Sequence, residues 1–222
     1  MLRREAVTQR GAVVGLLLRA TASATARGLI GDKPTAAVDA TGLDSRHTSR
    51  YFVARSGRGP TARTYTKLTV ACDTASHFFA GATVTVGPTN DAPQFRPVMT
   101  LAALTVPWDR VLADAAFDSE AHHRFAREDL GIRSTVIPVN ARGHAGPPSG
   151  LYRGQMGRRF RPKPEGPRSK RVYGQRWQVE SAFSRHKRRL GSALGAKSDT
   201  AREREGFLRV LTHDLMLLAA VK

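Results

Sequence analysis

Across 222 residues there is a single cysteine, Cys72. That excludes a disulfide framework and any Cys-based zinc cluster. No apolar run approaches the ~20 residues that span a bilayer, so no membrane association through a spanning helix is expected. No segment repeats with a period of about 20–50 residues. Ser56–Pro60 (SGRGP) lacks the spacing and the Lys-Ser/Thr of a phosphate-binding P-loop. Acids are scarce as well: 18 Asp+Glu face 36 Lys+Arg, a formal net charge of +18. Such an excess calls for a polyanionic partner, nucleic acid or an acidic membrane surface. Apolar residues at 41% and aromatics at 7% are ordinary for a folded chain of one domain with a proper core.

The charge is unevenly spread. From Arg142 to Arg189 fourteen Lys/Arg face only Glu165 and Glu180, so this stretch carries twelve of the eighteen net positive charges. Its first part, 141–171, is rich in Gly and Pro and reads as a long basic loop, either a solvated linker or a phosphate-tracking segment. At the other end, Met1–Arg10 is basic, Ala12–Leu18 apolar and Ala20–Ala26 rich in small residues. That is the outline of a signal peptide, but Glu5 and Gln9 precede an apolar run of only about seven residues. A short helix packed on the main domain, or the stub of a longer N-terminal region, is the better reading.

Between these ends the pattern alternates. Thr35–Ala40 (TAAVDA) reads as a strand carrying Asp39 into a turn at Thr41-Gly42. Tyr51–Arg55 is a second extended candidate, and Tyr65–Ala71 with Phe78–Val86 reads as a hairpin. Gln94–Leu104 has helical composition, and Val111–Ala116 (VLADAA) is a short strand carrying Asp114. Ser119 caps a helix that Gly131 stops near Leu130; Thr135–Val139 is a strand; helices are expected over Arg171–Leu190 and Ala201–Val221. The fold class is therefore α/β, a mixed sheet flanked by helices, with the long basic loop before a Glu-bearing helix.

That helix, YGQRWQVESAFSRHK from Tyr173 to Lys187, carries the chemistry. On a continuous wheel Tyr173, Arg176, Glu180 and Lys187 fall within an arc of about 60°, beside an apolar stripe of Val172, Val179, Phe183 and Leu190. Glu180 is the only acid between Glu165 and Asp199, set among cations. An isolated carboxylate in a phosphate-attracting surround is what metal-dependent phosphoryl transfer requires. Asp39 and Asp114, at the ends of predicted strands, are its candidate partners. Lesser features read plainly: His122-His123 as ordinary surface histidines of a helix, rather than a metal pair, and Trp108 and Trp177 as packing residues, although Trp177 faces away from the apolar stripe.

The order VDATG, ADAAFDS, Y-x2-R-x3-E-x6-K resembles the DDE transposases of bacterial insertion sequences, whose catalytic core is ribonuclease H-like. LGIRSTVIP (Leu130–Pro138), YRGQMGRRF (Tyr152–Phe160) and LTHDLMLL (Leu211–Leu218) are also similar to that family. The resemblance implies a short N-terminal segment over 1–33 and a catalytic domain over 34–222. It makes Asp39, Asp114 and Glu180 the catalytic, metal-binding carboxylates, holding two Mg²⁺ ions for which Mn²⁺ substitutes. Asp118, in the same ADAAFDS motif, is a rival for the second position. Tyr173, Arg176 and Lys187 become DNA-backbone residues, joined by Arg158, Arg159 and Arg161 of the basic loop. The implied partner is double-stranded DNA, transposon ends and target, handled by a homodimer in the cytoplasm at the nucleoid. The 33 residues ahead of the core are fewer than the family's usual end-recognising region, and Ala116-Phe117 stand where Gly-Tyr is frequent. A shortened, inactive DNA-binding remnant and another nuclease of the same fold are the alternative readings.

Overall fold

The computed structural model describes residues 2–45, 65–87, 89–140, 148–160 and 172–221, with side chains in the first helix from Gly11 onward. The expected strand at Tyr51–Arg55, the Ser56–Pro60 turn and Arg161 lie outside these residues. A helix α1 (Leu2–Ala26) leads into strand β1 (Thr35–Ser45), then β2 (Thr66–Asp73), β3 (Phe79–Val86) and helix α2 (Phe95–Ala103). Strand β4 (Arg110–Ala113), helix α3 (Glu120–Arg124), strand β5 (Ser134–Val136) and helix α4 (Leu151–Arg159) follow. Helix α5 (Trp177–Leu190), strand β6 (Ala193–Leu194) and helix α6 (Asp199–Ala220) complete the order.

The sheet runs β3-β2-β1-β4-β5, with β6 added to the far end of β1. β1, β2 and β3 are antiparallel neighbours, whereas β1, β4 and β5 run parallel, a mixed sheet as expected. β1 does not turn at Thr41-Gly42. It continues to Ser45, because Gly42 pairs with Lys67 of β2 and Asp44–Ser45 pair with Ala193–Leu194 of β6. Helices cover both faces. A Cβ at Gly81 of β3 would run into the Val98 carbonyl of α2, so glycine lets that helix lie directly on the strand. Val84, three residues further and so facing the other way, packs on Gly206 of α6.

The main core joins Val38, Val70 and Phe79 of three strands to Val98, Val179 and Val210 of three helices. Leu17, Ala20 and Ala24 of α1 belong to the same cluster, so the first helix packs on the main body. Cys72 is wholly buried there, and burial pushes its thiol pKa well up, leaving an inert apolar side chain. A second cluster joins Leu112 and Val136 to Met156 of α4, with Phe160, Val172 and Tyr173 against it.

Two stretches depart from the sequence pattern. The Gly/Pro-rich basic stretch contains α4, held by tertiary hydrogen bonds: Glu120 of α3 accepts the Tyr152 and Arg153 amides at its N-terminus, where the helix dipole favours a carboxylate. Gly150, at φ +98°, admits that carboxyl where a side chain would clash. The expected helix Arg171–Leu190 is broken. A helical turn at 172–174 ends in turn backbone at Gln175 and Arg176, with the Arg176 amide donating to the Tyr173 carbonyl, before α5 begins at Trp177.

Candidate active site

β1 and β4 pair in register from Thr35 with Arg110 to Val38 with Ala113. β4 then ends, and the next residue on each strand is an aspartate, Asp39 and Asp114. Adjacent strands lie about 4.8 Å apart, so the two aspartates stand side by side where the strands part. This is the carboxyl end of a parallel pair, where α/β sheets open a crevice. Asp114 turns its carboxyl back to accept the Ala116 amide at 2.7 Å, closing a short helical turn. Asp39 accepts the Ala40 amide at 2.8 Å through Oδ1.

α5 crosses this point on its apolar stripe. Val179, Ala182, Phe183 and His186 are buried, at the helical spacing that faces a core, and Glu180 stands at the exposed edge of that face. A crevice of about 630 Å³ is lined by Asp39, Ala40 and Thr41 of β1 and by Glu180, Phe183, Ser184, Lys187 and Arg188 of α5.

Arg176 ties strand to helix. Its Nη1 donates to Asp39 Oδ2 at 3.0 Å and its Nη2 to Glu180 Oε1 at 2.6 Å, so one guanidinium spans two carboxylates. Burial raises the Asp39 pKa above the ordinary aspartate value; the Ala40 amide and Arg176 pull it down, and Asp114 and Glu180 push it up. Burial also raises the Tyr173 hydroxyl pKa, against Arg176 and with Asp114 and Asp39. Tyr173 meets Phe160 edge-on, ring centroids 5.3 Å apart, which fixes its ring beside the site. Asp39, Asp114, Glu180, Tyr173 and Arg176 therefore share one electrostatic neighbourhood, with Lys187 on the crevice wall. Among the described residues no three His, Cys, Asp or Glu side chains close into a metal cage. A cation already stands between Asp39 and Glu180: the Arg176 guanidinium.

The rival carboxylate, Asp118, is differently engaged. Its side chain is 1% exposed, accepts Arg153 Nε and Nη2 and the Asn140 amide, and clamps α4 to the body. Both of its oxygens are engaged within the fold. Arg158 and Arg159 lie on the last turn of α4; burial, then Arg110, lowers the Arg159 pKa. The two histidines after Ser119 are not surface residues. His123 is fully buried with Nδ1 2.6 Å from Thr135 Oγ1, and His122 stacks on Phe95. Trp108 packs and donates to the Ala102 carbonyl, whereas Trp177 is 57% exposed and does not pack. The sequence reasoning missed Thr41, Ser184 and Arg188 on the crevice wall. Their signal was present: Ser184 and Arg188 lie one and two turns beyond Glu180, and Thr41 is two residues past Asp39 on the same face of β1.

A mixed sheet in this order, flanked by helices, with one aspartate within central strand β1, another just past the end of its parallel neighbour β4 and a glutamate on the helix crossing them, is consistent with a ribonuclease H-like transposase fold. The chain belongs to the transposase DDE domain family, whose model matches residues 30–215. A comparison with curated proteins found no match. Among the described residues no helix is long and apolar enough to cross a membrane.

Proposed function

We propose that this transposase-family chain cuts DNA strands and transfers them during transposition of an insertion sequence, with residues 34–222 as the catalytic domain. The observation that carries the reading is the Arg176 bridge from Asp39 on β1 to Glu180 on α5, beside Asp114 at the end of β4. Asp39 and Glu180 line one crevice together with Lys187 and Arg188, and Asp114 follows the β4 residue paired with Val38. Carboxylate oxygens are the hard donors that Mg²⁺ and Mn²⁺ take, so the donor chemistry fits the divalent metals that the family uses. Two such ions would activate the attacking hydroxyl and steady the leaving oxygen.

The protein's own residues would do the rest. Asp39 on β1, fixed by the Ala40 amide, and Asp114 just past β4, fixed by the Ala116 amide, would present rigid carboxylates. Glu180 adds a third from the helix. Lys187 and Arg188 would attract the phosphodiester along the crevice wall, and Tyr173, locked against Phe160, would bound the other side. Arg158 and Arg159 would extend the DNA track along α4. Strand transfer joins two ends, so the working species on DNA would be a homodimer acting in the cytoplasm at the nucleoid.

The test is Mg²⁺-dependent nicking of supercoiled plasmid by wild type, Glu180→Gln and Asp39→Asn, with DNA affinity measured in parallel. Cleavage should disappear in both variants while DNA binding is little changed. Cleavage that persists in either variant refutes the assignment.

A further inference from the structure

Arg176 is an unusual ligand for two acids. Its side chain is 21% exposed, Asp39's is 17% and Glu180's is 56%, so the bridge is half in the body and half in the crevice. The guanidinium is planar with five donors, and here separate nitrogens serve separate carboxylates. The oxygens it uses, Asp39 Oδ2 and Glu180 Oε1, are held within the span of that one group. A divalent cation drawing on both carboxylates needs those same lone pairs. Bridge and metal therefore compete for one position.

The backbone lets the bridge open. Arg176 sits in the break ahead of α5, where the Gln178 and Val179 amides bond three residues back rather than four. Its side chain can swing away without disturbing the hydrogen-bond ladder that carries Glu180. A freed guanidinium seeks a planar, multi-oxygen anion, and phosphate matches it. Lys187 and Arg188, on the adjoining wall, add positive charge beside that place.

We propose, building on the metal-site reading above, that Arg176 is a positioning residue that occupies the cation position between Asp39 and Glu180 until a DNA phosphate draws it off, so that DNA and divalent metal bind cooperatively. Without DNA the bridge holds the two carboxylates apart at one guanidinium's width and keeps the metal out. With DNA the positive charge moves to the backbone and the carboxylates face the metal. Because coupling is reciprocal, metal must tighten DNA by the same factor by which DNA tightens metal.

The experiment measures Mn²⁺ affinity of the full chain from the free-ion electron paramagnetic resonance signal, with and without a short DNA duplex. In wild type the duplex should tighten Mn²⁺ by about 5–150-fold, the usual span of such coupling. In Arg176→Gln, Mn²⁺ should bind the DNA-free protein about as tightly as it binds the wild-type complex, and the duplex should add little. Lys187→Gln removes the same charge from the same crevice without touching the carboxylates. An equal rise in DNA-free affinity there, or none in Arg176→Gln, overturns the proposal. If Arg176→Gln loses its native circular dichroism, Arg176→Met decides: it keeps an unbranched stem without the charge, so affinity must still rise, and an unchanged value overturns the bridge. Adding Asp39→Asn with Glu180→Gln to Arg176→Gln tests the underlying reading separately. Mn²⁺ affinity that survives those changes means the metal is not held here, whatever Arg176 does.

Discussion

His186 offers a sharp test of the packing beneath α5. It is fully buried on the inner face of α5, with ring centroids 6.0 Å from Phe79 and 5.9 Å from His213. Neither ring nitrogen has a hydrogen-bond partner among the described residues. Burial first, then the charges of His213, Arg209 and Lys187, lowers its pKa from 6.5 to about 4. Folded, the ring stays neutral where the unfolded chain takes up a proton. Stability is therefore whole above pH 6.5 and is lost as pH falls from 6.5 towards 4. One such group gives a slope of roughly 1.4 kcal/mol per pH unit, or ~3 kcal/mol over the window. Burial also dominates the lowering of His123 and His213 to about 4, so three histidines act together. His186→Phe keeps a ring in the site and breaks no hydrogen bond. It should match or exceed wild type at pH 7, by about 1 kcal/mol, since unpartnered buried polar atoms cost that much. Between pH 6.5 and 4 its stability should fall less steeply, by roughly 1.4 kcal/mol per pH unit. Urea unfolding at fixed ionic strength, stepped through that range, measures both. A variant curve parallel to wild type would show that His186 does not titrate on unfolding and would refute the reasoning.

Two further perturbations test what surrounds the site. Arg153→Ala strands the Asp118 carboxylate, 1% exposed, without its cation; the expected loss is about 3–5 kcal/mol, or roughly 10 °C in Tm, and a change below about 1 kcal/mol would mean that α4 is held otherwise. Arg158→Ala with Arg159→Ala should reduce the slope of log affinity for DNA against log salt by about 0.9 for each phosphate that is no longer neutralised. An unchanged slope in that titration would make the last turn of α4 a bystander.

Much of this was legible along the chain. Asp114 stood at a strand end as its apolar run suggested, whereas Asp39 lies within β1, which pairs with β2 beyond it; the pairing of Val38 with Ala113 still brings the two aspartates next to each other. Ser119 capped its helix as the pattern required, its Oγ accepting the Ala121 amide; the helix passes at Phe125 into a π-helical turn through Asp129, and Gly131, at φ +68°, follows it. The spacing of Arg176, Glu180 and Lys187 survives, although the wheel assumed a continuous helix and the chain breaks at Gln175–Arg176. The α4 helix was hidden by its glycines, since its start depends on Glu120, thirty-odd residues earlier.

The sequence by itself determined which residues are candidates for the chemistry: local periodicity sets acids beside short apolar runs and on a helix face, and the charge excess points to a polyanionic partner. Tertiary structure alone decided which oxygens are free. Asp118 and Asp39 look alike in sequence, yet Arg153 closes over one and Arg176 bridges the other to Glu180. Those partners lie 35 and 137 residues away. A carboxylate's role is set by the cation that packing brings to it, and packing is a property of the closed chain, not of its local pattern.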